Sequence, residues 1–251
     1  MATWTLLFCL TTRSSNGNST VSARLVLAAH GKHSPLDRML NRSRFPQSPV
    51  FVGLKAHFQG PSLSQHIELH AFTGGYCGLS EIENNRTNAC LIVRQDVFQQ
   101  ITAQATTPID TFIQWMQHQN PALSAWFAHA TPVSDHWHSI SGVSFIRKPV
   151  IENDALMVGD SAGMIPPLTG NGMAMALEAG KMAAFLANHF LAGHLTAADL
   201  KQQYRQQWRQ QFQTRLLLGQ FLQRFALQPH LLSPGLHLFN AMPKPFIVHT
   251  P

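Results

Sequence analysis

The chain has 251 residues, 45% hydrophobic and 12% charged, with a formal net charge of +6. That apolar content supports one large domain or two small ones around a real core and excludes disorder over the whole length. The Lys and Arg residues are scattered without a block of like charge, which reads as a mildly basic solvated surface.

Three cysteines, Cys9, Cys77 and Cys90, form no CxxC pair, which points to a reducing, cytoplasmic setting without a disulfide framework. No apolar run reaches the ~18 residues a membrane helix needs. Trp4 to Leu10 is apolar but short, and lacks the positive flank and cleavage site of a signal peptide, so it reads as a strand. A turn over Ser14 to Asn18 leads into a second apolar run, Val21 to Ala29, and the two predict a hairpin or meander. Further strands are predicted over 50–58, 66–72, 76–82 and 89–93, with breaks at Gly74-Gly75 and Asn84-Asn85, giving an antiparallel sheet. From Asp96 to His129 the pattern turns helical, carried by Val97, Ile101 and Ala105 and then by Phe112, Trp115 and Met116. A returning strand is predicted over 143–147 and a buried one over Ala155 to Val158. Gly172 to Phe190 reads as an Ala-rich helix. Thr196 with Asp199 resembles a capping box opening a second helix, whose apolar stripe is Leu200, Tyr204, Trp208, Phe212 and Leu216. Pro229, Pro234, Pro243 and Pro245 break the tail into short pieces.

The chemistry concentrates in Ala155-Leu-Met-Val-Gly-Asp-Ser-Ala-Gly-Met-Ile-Pro-Pro-Leu-Thr-Gly-Asn-Gly-Met-Ala-Met-Ala-Leu-Glu-Ala-Gly180. A buried strand ends in Gly159-Asp160, where glycine permits close backbone approach and a carboxylate can accept hydroxyl hydrogen bonds. Pro166 stiffens the following loop, and Gly170-Asn171-Gly172 supplies left-handed or flexible backbone just before a helix start. The free N–H groups and positive end of that helix suit a group that becomes negative.

This run resembles the second FAD motif, Gly-Asp-Ala-Ala-Gly-x-x-x-Pro-x-x-Gly-x-Gly-Met, of the geranylgeranyl reductase and aromatic hydroxylase-like flavoproteins, with Ser161 in place of Ala. The resemblance implies that Asp160 holds the ribityl chain and that Gly170, Asn171, Gly172 and Met173 lie against the flavin ring. Helix-end donors there would favour the reduced, anionic ring. Gly159 and Pro166 complete the implied cofactor set. Ala23-Arg-Leu-Val-Leu-Ala-Ala-His-Gly-Lys-His-Ser-Pro-Leu-Asp37 is similar to the family's strand followed by Ala-Asp-Gly-x-x-Ser, with His30 where the family has Asp. Gly74-Gly-Tyr-Cys-Gly-Leu-Ser80 looks like the sheet of the substrate domain, which would put Tyr76 and Cys77 in the substrate pocket. No side chain stands out as a catalytic acid or base, so the flavin would carry the reaction.

No G-x-G-x-x-G occurs in the 251 residues. In the family that fingerprint opens the protein in a βαβ unit and cradles the pyrophosphate. The resemblance therefore implies a sequence truncated at its start, with weak or no FAD binding by this chain alone. The expected fold is mixed α/β. Residues 1–45 and 150–190 would form a partial FAD-binding domain lacking its first βαβ unit, 46–149 a substrate domain with an antiparallel sheet, and 191–251 a helical C-terminal region. The expected function is an FAD-dependent reductase or monooxygenase acting on a small, apolar or isoprenoid molecule, with NAD(P)H as electron donor and peripheral membrane contact. The alternatives are a non-catalytic remnant and one half of a split enzyme completed by an upstream chain. His66, Glu68 and His70 alternate on a strand but are read as a chance cluster, so no metal is expected. No nucleic-acid module is present.

Overall fold

A computed structural model describes residues 8–15, 17–32, 34–42, 49–63 and 66–227. The start of the first predicted strand and the proline-broken tail lie outside the described residues. The described residues fall into two compact units, those of Met1–Pro46 with Phe145–Phe221 and those of Gln47–Ser144 with Leu222–Pro251.

The chain opens in the first unit with an antiparallel hairpin, β1 (Phe8–Ser14) and β2 (Gly17–Ala23), in register from Phe8 opposite Ala23 to Ser14 opposite Gly17. The apolar run Val21 to Ala29 is divided. β2 ends at Ala23, and Leu27–Ala28 is a separate strand, β3, in another sheet. Carbonyls in it and just before it are engaged from far along the chain: Val26 O accepts from the Leu156 amide at 3.0 Å and Ala28 O from the Val158 amide at 3.1 Å. A short helix, α1 (Pro35–Met39), follows, N-capped by the Ser34 hydroxyl, which accepts from the Leu36 amide.

The second unit is a sheet covered by helices on one face. β4 (Phe51–Gln59), β5 (Ile67–Phe72), β6 (Gly75–Ile82) and β7 (Arg86–Arg94) pair antiparallel in the order β5-β6-β7-β4. Asn84 and Asn85, both at positive φ, make the tight turn between β6 and β7. Three helices follow, α2 (Gln95–Thr102), α3 (Pro108–Gln119) and α4 (Pro121–Ala128), separated by the breaks that Pro108 and Pro121 impose as first-turn residues. β8 (Thr131–Pro132) and β9 (His138–Val143) then pair with β4. The returning strand thus lies upstream of its predicted position; of 143–147, only Val143 is in a strand. Strand alternation builds the core in rows across the sheet: Cys77, Leu91 and Leu54 in one, Leu79, Ala89 and Ala56 in the next. Phe112, Met116, Leu123 and Trp126 of α3 and α4 pack against them.

Back in the first unit, β10 (Ile151–Glu152) turns through Asn153 and Asp154, both left-handed, into β11 (Ala155–Met157). The sheet order is β10-β11-β3, and β11 runs parallel to β3 with Leu156 opposite Leu27 and Met157 opposite Ala28. α5 (Gly172–Leu191) and α6 (Ala197–Ala226) cover it. The capping box forms: Thr196 Oγ1 accepts from the Asp199 amide at 3.1 Å, and Asp199 Oδ2 accepts from the Thr196 amide at 3.3 Å. Leu200, Tyr204, Trp208, Phe212 and Leu216 are all buried, packed with Met157, Val158 and the inner face of α5.

Candidate functional site

Beyond β11 the chain enters a 3-10 turn over Gly159–Ser161. Gly159 has φ +65°, and a Cβ built there would stand 3.1 Å from the Ala176 Cβ on α5, so glycine is needed for both conformation and approach. The parallel register brings the segments after β3 and β11, His30-Gly31 and Gly159-Asp160, out together at the C-terminal edge of the sheet. That edge is where open α/β sheets bind ligands. Ser161 is fully buried and knots the edge. Its hydroxyl lies 2.5 Å from Ala28 O and 2.7 Å from Val158 O, and accepts from the Val158 amide at 3.1 Å. An alanine, which the resembled motif carries here, would leave these polar atoms without that partner.

Asp160 is half-buried, and its carboxylate has no hydrogen-bond donor among the described residues. Burial pushes its pKa above the ordinary value, against the pull of the Lys32 and Lys148 charges. The following loop closes with a second 3-10 turn, Pro167–Thr169, and Gly170 at φ +63°. Asn171 opens α5 without a side-chain cap, and the first turn holds no acidic residue, so the positive helix end is not neutralised from within.

Gly159, Asp160, Gly163, Gly172 and Ala176 border one cleft, floored by Trp208 and Phe212, with a cavity of about 10 Å³. Of the residues singled out from sequence, Gly159, Asp160 and Gly172 line it. Pro166 is buried close to Gly219 of α6 and anchors the loop. Gly170, Asn171 and Met173 form an exposed rim at the head of α5. A wider, open polar hollow of about 620 Å³ follows the outer side of α6 along Lys201, Arg205 and Arg209 and shares no lining residue with this cleft.

A charged cluster beside the cleft has no motif to announce it. Asp37 meets His30 Nε2 at 3.3 Å, Arg42 Nε at 3.3 Å and Lys148 Nζ at 2.7 Å. Burial alone would raise the Asp37 carboxyl, but the hydrogen bonds from Lys148 and His30 outweigh it and hold it below the usual range. Arg42, 1% exposed, also donates to Pro149 O at 3.1 Å and Ser161 O at 2.7 Å. It thereby ties the segment after α1 to the residue next to Asp160. The sequence signal was only an Arg surviving in a weakly charged chain.

Tyr76 and Cys77 are neighbours on β6 and so point to opposite faces of the sheet. Cys77 is fully buried in the helix-covered core, where burial pushes its thiol pKa up. Tyr76, also buried, donates to Gln223 Oε1 at 3.2 Å. The two do not share a pocket wall. In the same unit His70 Nε2 lies 2.9 Å from Glu68, and His66 Nδ1 sits 3.3 Å from Leu63 O. Among the described residues no group of three or more side chains could hold a metal ion.

No family model matches the sequence. It is 22% identical over 229 residues to the digeranylgeranylglycerophospholipid reductase of Haloferax volcanii, covering 83% of this chain and 54% of that protein. The fold matches the myxobacterial chondrochloren halogenase CndH, a variant of FAD-dependent halogenases, with TM-score 0.67 and 19% identity over 85% of this chain and 50% of that one. It also matches PqsL of Pseudomonas aeruginosa, a probable FAD-dependent monooxygenase, with TM-score 0.61 and 17% identity over 90% and 62%. The chain thus spans about half to three-fifths of the length of these proteins.

Proposed function

We infer that this chain, which carries the fold of the FAD-dependent oxidoreductase superfamily, contributes the ribityl- and ring-binding part of a flavin site in a reductase- or monooxygenase-like enzyme. The observation that carries the reading is that Asp160 and the head of α5 share one cleft at the C-terminal edge of the parallel strands. The residues fit the cofactor. Asp160 offers an unpaired, half-buried carboxylate to hydroxyls of the ribityl chain. The uncapped start of α5, from Gly172, offers N–H donors to the ring edge, and Gly159 keeps the backbone close. When bound, FAD would supply the two-electron chemistry, with NAD(P)H as the electron source. This chain's part is to hold and orient the cofactor.

The name of the Haloferax relative supports an apolar, isoprenoid class of substrate. We place the protein in the cytoplasm with peripheral membrane contact. No helix among the described residues is long and apolar enough to cross a membrane.

The 251 residues hold no Gly-rich dinucleotide fingerprint, so on this reading the adenosine and pyrophosphate contacts are weak or missing in this chain alone. Titration with FAD, FMN and riboflavin, followed by flavin fluorescence, tests it. Binding should be weak, alike for the three within about threefold (under ~0.7 kcal/mol), and abolished by Asp160→Ala. A stoichiometric yellow FAD protein would overturn the impaired binding. Unchanged affinity in Asp160→Ala would overturn the site.

A further inference from the structure

β5 is the terminal strand of its sheet. β6 pairs with one edge, and among the described residues no strand pairs with the other. The register runs from Ile67 opposite Ser80 to Phe72 opposite Gly75 without a shift, so the strand carries no bulge. Ile67-Glu-Leu-His-Ala-Phe72 also holds no Pro and no Lys, and the edge lacks the usual guards against pairing. The two-residue turn at Thr73-Gly74 makes Phe72 and Gly75 the closing hydrogen-bonded pair. Backbone groups alternate from there: those of Phe72, His70 and Glu68 turn to β6, and those of Ala71, Leu69 and Ile67 turn outward. The Asn120 side chain already uses one outward group, donating to Ala71 O at 3.2 Å. Side chains alternate too. Ile67 and Leu69 stand 74% and 53% exposed on the face away from the helices, with Leu69 lying against Gly78 of β6. Glu68 and His70 share the opposite face and meet at 2.9 Å.

We propose that β5 pairs antiparallel with β5 of a second copy of this chain, joining the two sheets across a two-fold axis at Leu69. Outward backbone groups can meet in registers centred on Glu68, Leu69 or His70. Centred on Glu68, two carboxylates face each other, and centred on His70, two imidazoles do. Centred on Leu69, each Glu68 lies opposite His70 of the other copy, so every carboxylate stands between two imidazoles. On the other face Leu69 meets its own counterpart and Ile67 meets Ala71, which covers the exposed apolar side chains. The strand is thus its own antiparallel complement in charge and in apolar pattern, which selects a second copy as the occupant. So short an edge buries less than the ~1,200 Å² of a standard interface, and the dimer is a reversible one, half formed on the order of 10–100 µM. This surface is independent of the flavin-site reading.

Sedimentation velocity of the full chain, at concentrations bracketing that range, should show a monomer passing to a dimer as concentration rises. Leu69→Lys sets like charges on the axis at an exposed position. It should raise the dissociation constant by about tenfold or more, with far-UV circular dichroism and melting unchanged. Cysteine pairing reads the register separately, in a chain whose exposed Cys9 and Cys90 are changed to Ser. A hydrogen-bonded antiparallel pair has its Cα atoms about 5.5 Å apart, within reach of a disulfide. Under mild oxidation Leu69→Cys should therefore link to itself, while Ile67→Cys should link to Ala71→Cys and not to itself. A chain monomeric throughout, a dimer that Leu69→Lys leaves intact, or Ile67→Cys linking to itself as readily as Leu69→Cys does would overturn the proposal.

Discussion

Arg42→Met is the sharpest probe of how the site edge is held. The side chain is fully buried, contacts Asp37 at 3.3 Å, and donates to the carbonyls of Pro149 and Ser161 at 3.1 and 2.7 Å. Methionine keeps most of the apolar volume, so little cavity opens. Each charge-assisted hydrogen bond contributes about 1.5–3 kcal/mol, and removing one partner of a buried ion pair costs about 3–5 kcal/mol. These overlap, and Asp37 keeps Lys148 and His30, so the lower end applies: a loss of about 3 kcal/mol. Hydrogen exchange read by mass spectrometry isolates the unit concerned. Amides of Leu156, Met157 and Val158 should open about a hundredfold more often, while β7 amides in the other unit stay unchanged. A change under about 1 kcal/mol, or equal loss in both units, would refute the assignment of Arg42 as the tie. The same cluster sets an acid limit. The Asp37 pKa is held low in the folded state, so its contribution is present above the unfolded value of about 3.9 and is lost as pH falls through the folded value below that. Asp37→Asn should remove this part of the pH dependence.

Asp160→Asn should behave oppositely. Its pKa is raised, so the ionised form costs stability at neutral pH, and the variant should melt slightly higher at pH 7, by less than about 1 kcal/mol given solvent screening. That gain should vanish as pH falls through the folded pKa, where the native carboxyl protonates; a variant less stable at pH 7 would contradict it. Tyr204→Phe removes the 2.6 Å hydrogen bond to Met157 O from a fully buried phenol and should cost about 1–2 kcal/mol in urea unfolding. Iodoacetamide at pH 8 should label the exposed Cys9 and Cys90 while the buried Cys77 stays unmodified until the protein unfolds, with the sites read by peptide mapping.

Local pattern carried far in this chain. The i+4 stripe of α6 is buried at every position the spacing picked, and Thr196 with Asp199 caps it because both partners lie within one turn. The turn at Asn84 and Asn85 was legible for the same reason: φ above zero is a local demand that few residue types meet. Pairing was less legible. Val21 to Ala29 reads as continuous because Arg24 is its one charged residue and no Gly or Pro interrupts it. The choice of the distant β11 as the partner of Leu27 and Ala28 is made by hydrogen bonds across some 130 residues. The placement of the returning strand failed likewise, since pairing with β4 takes the residues up to Val143.

Strand end, glycines, carboxylate and helix start are successive in one run, so residue type and order alone determined that Asp160 would sit near the head of α5. What only the tertiary structure decided is who supports and who leaves that edge. Arg42 and Ser161 bind carbonyls that become neighbours only when β3 and β11 lie parallel, and Asp37 is paired by side chains from three segments. The exposure of Met173, Leu177 and Phe185 depends on which sides of α5 the sheet and α6 occupy. Hydrophobic spacing says that a helix face seeks cover, but long-range packing determines whether this chain supplies it.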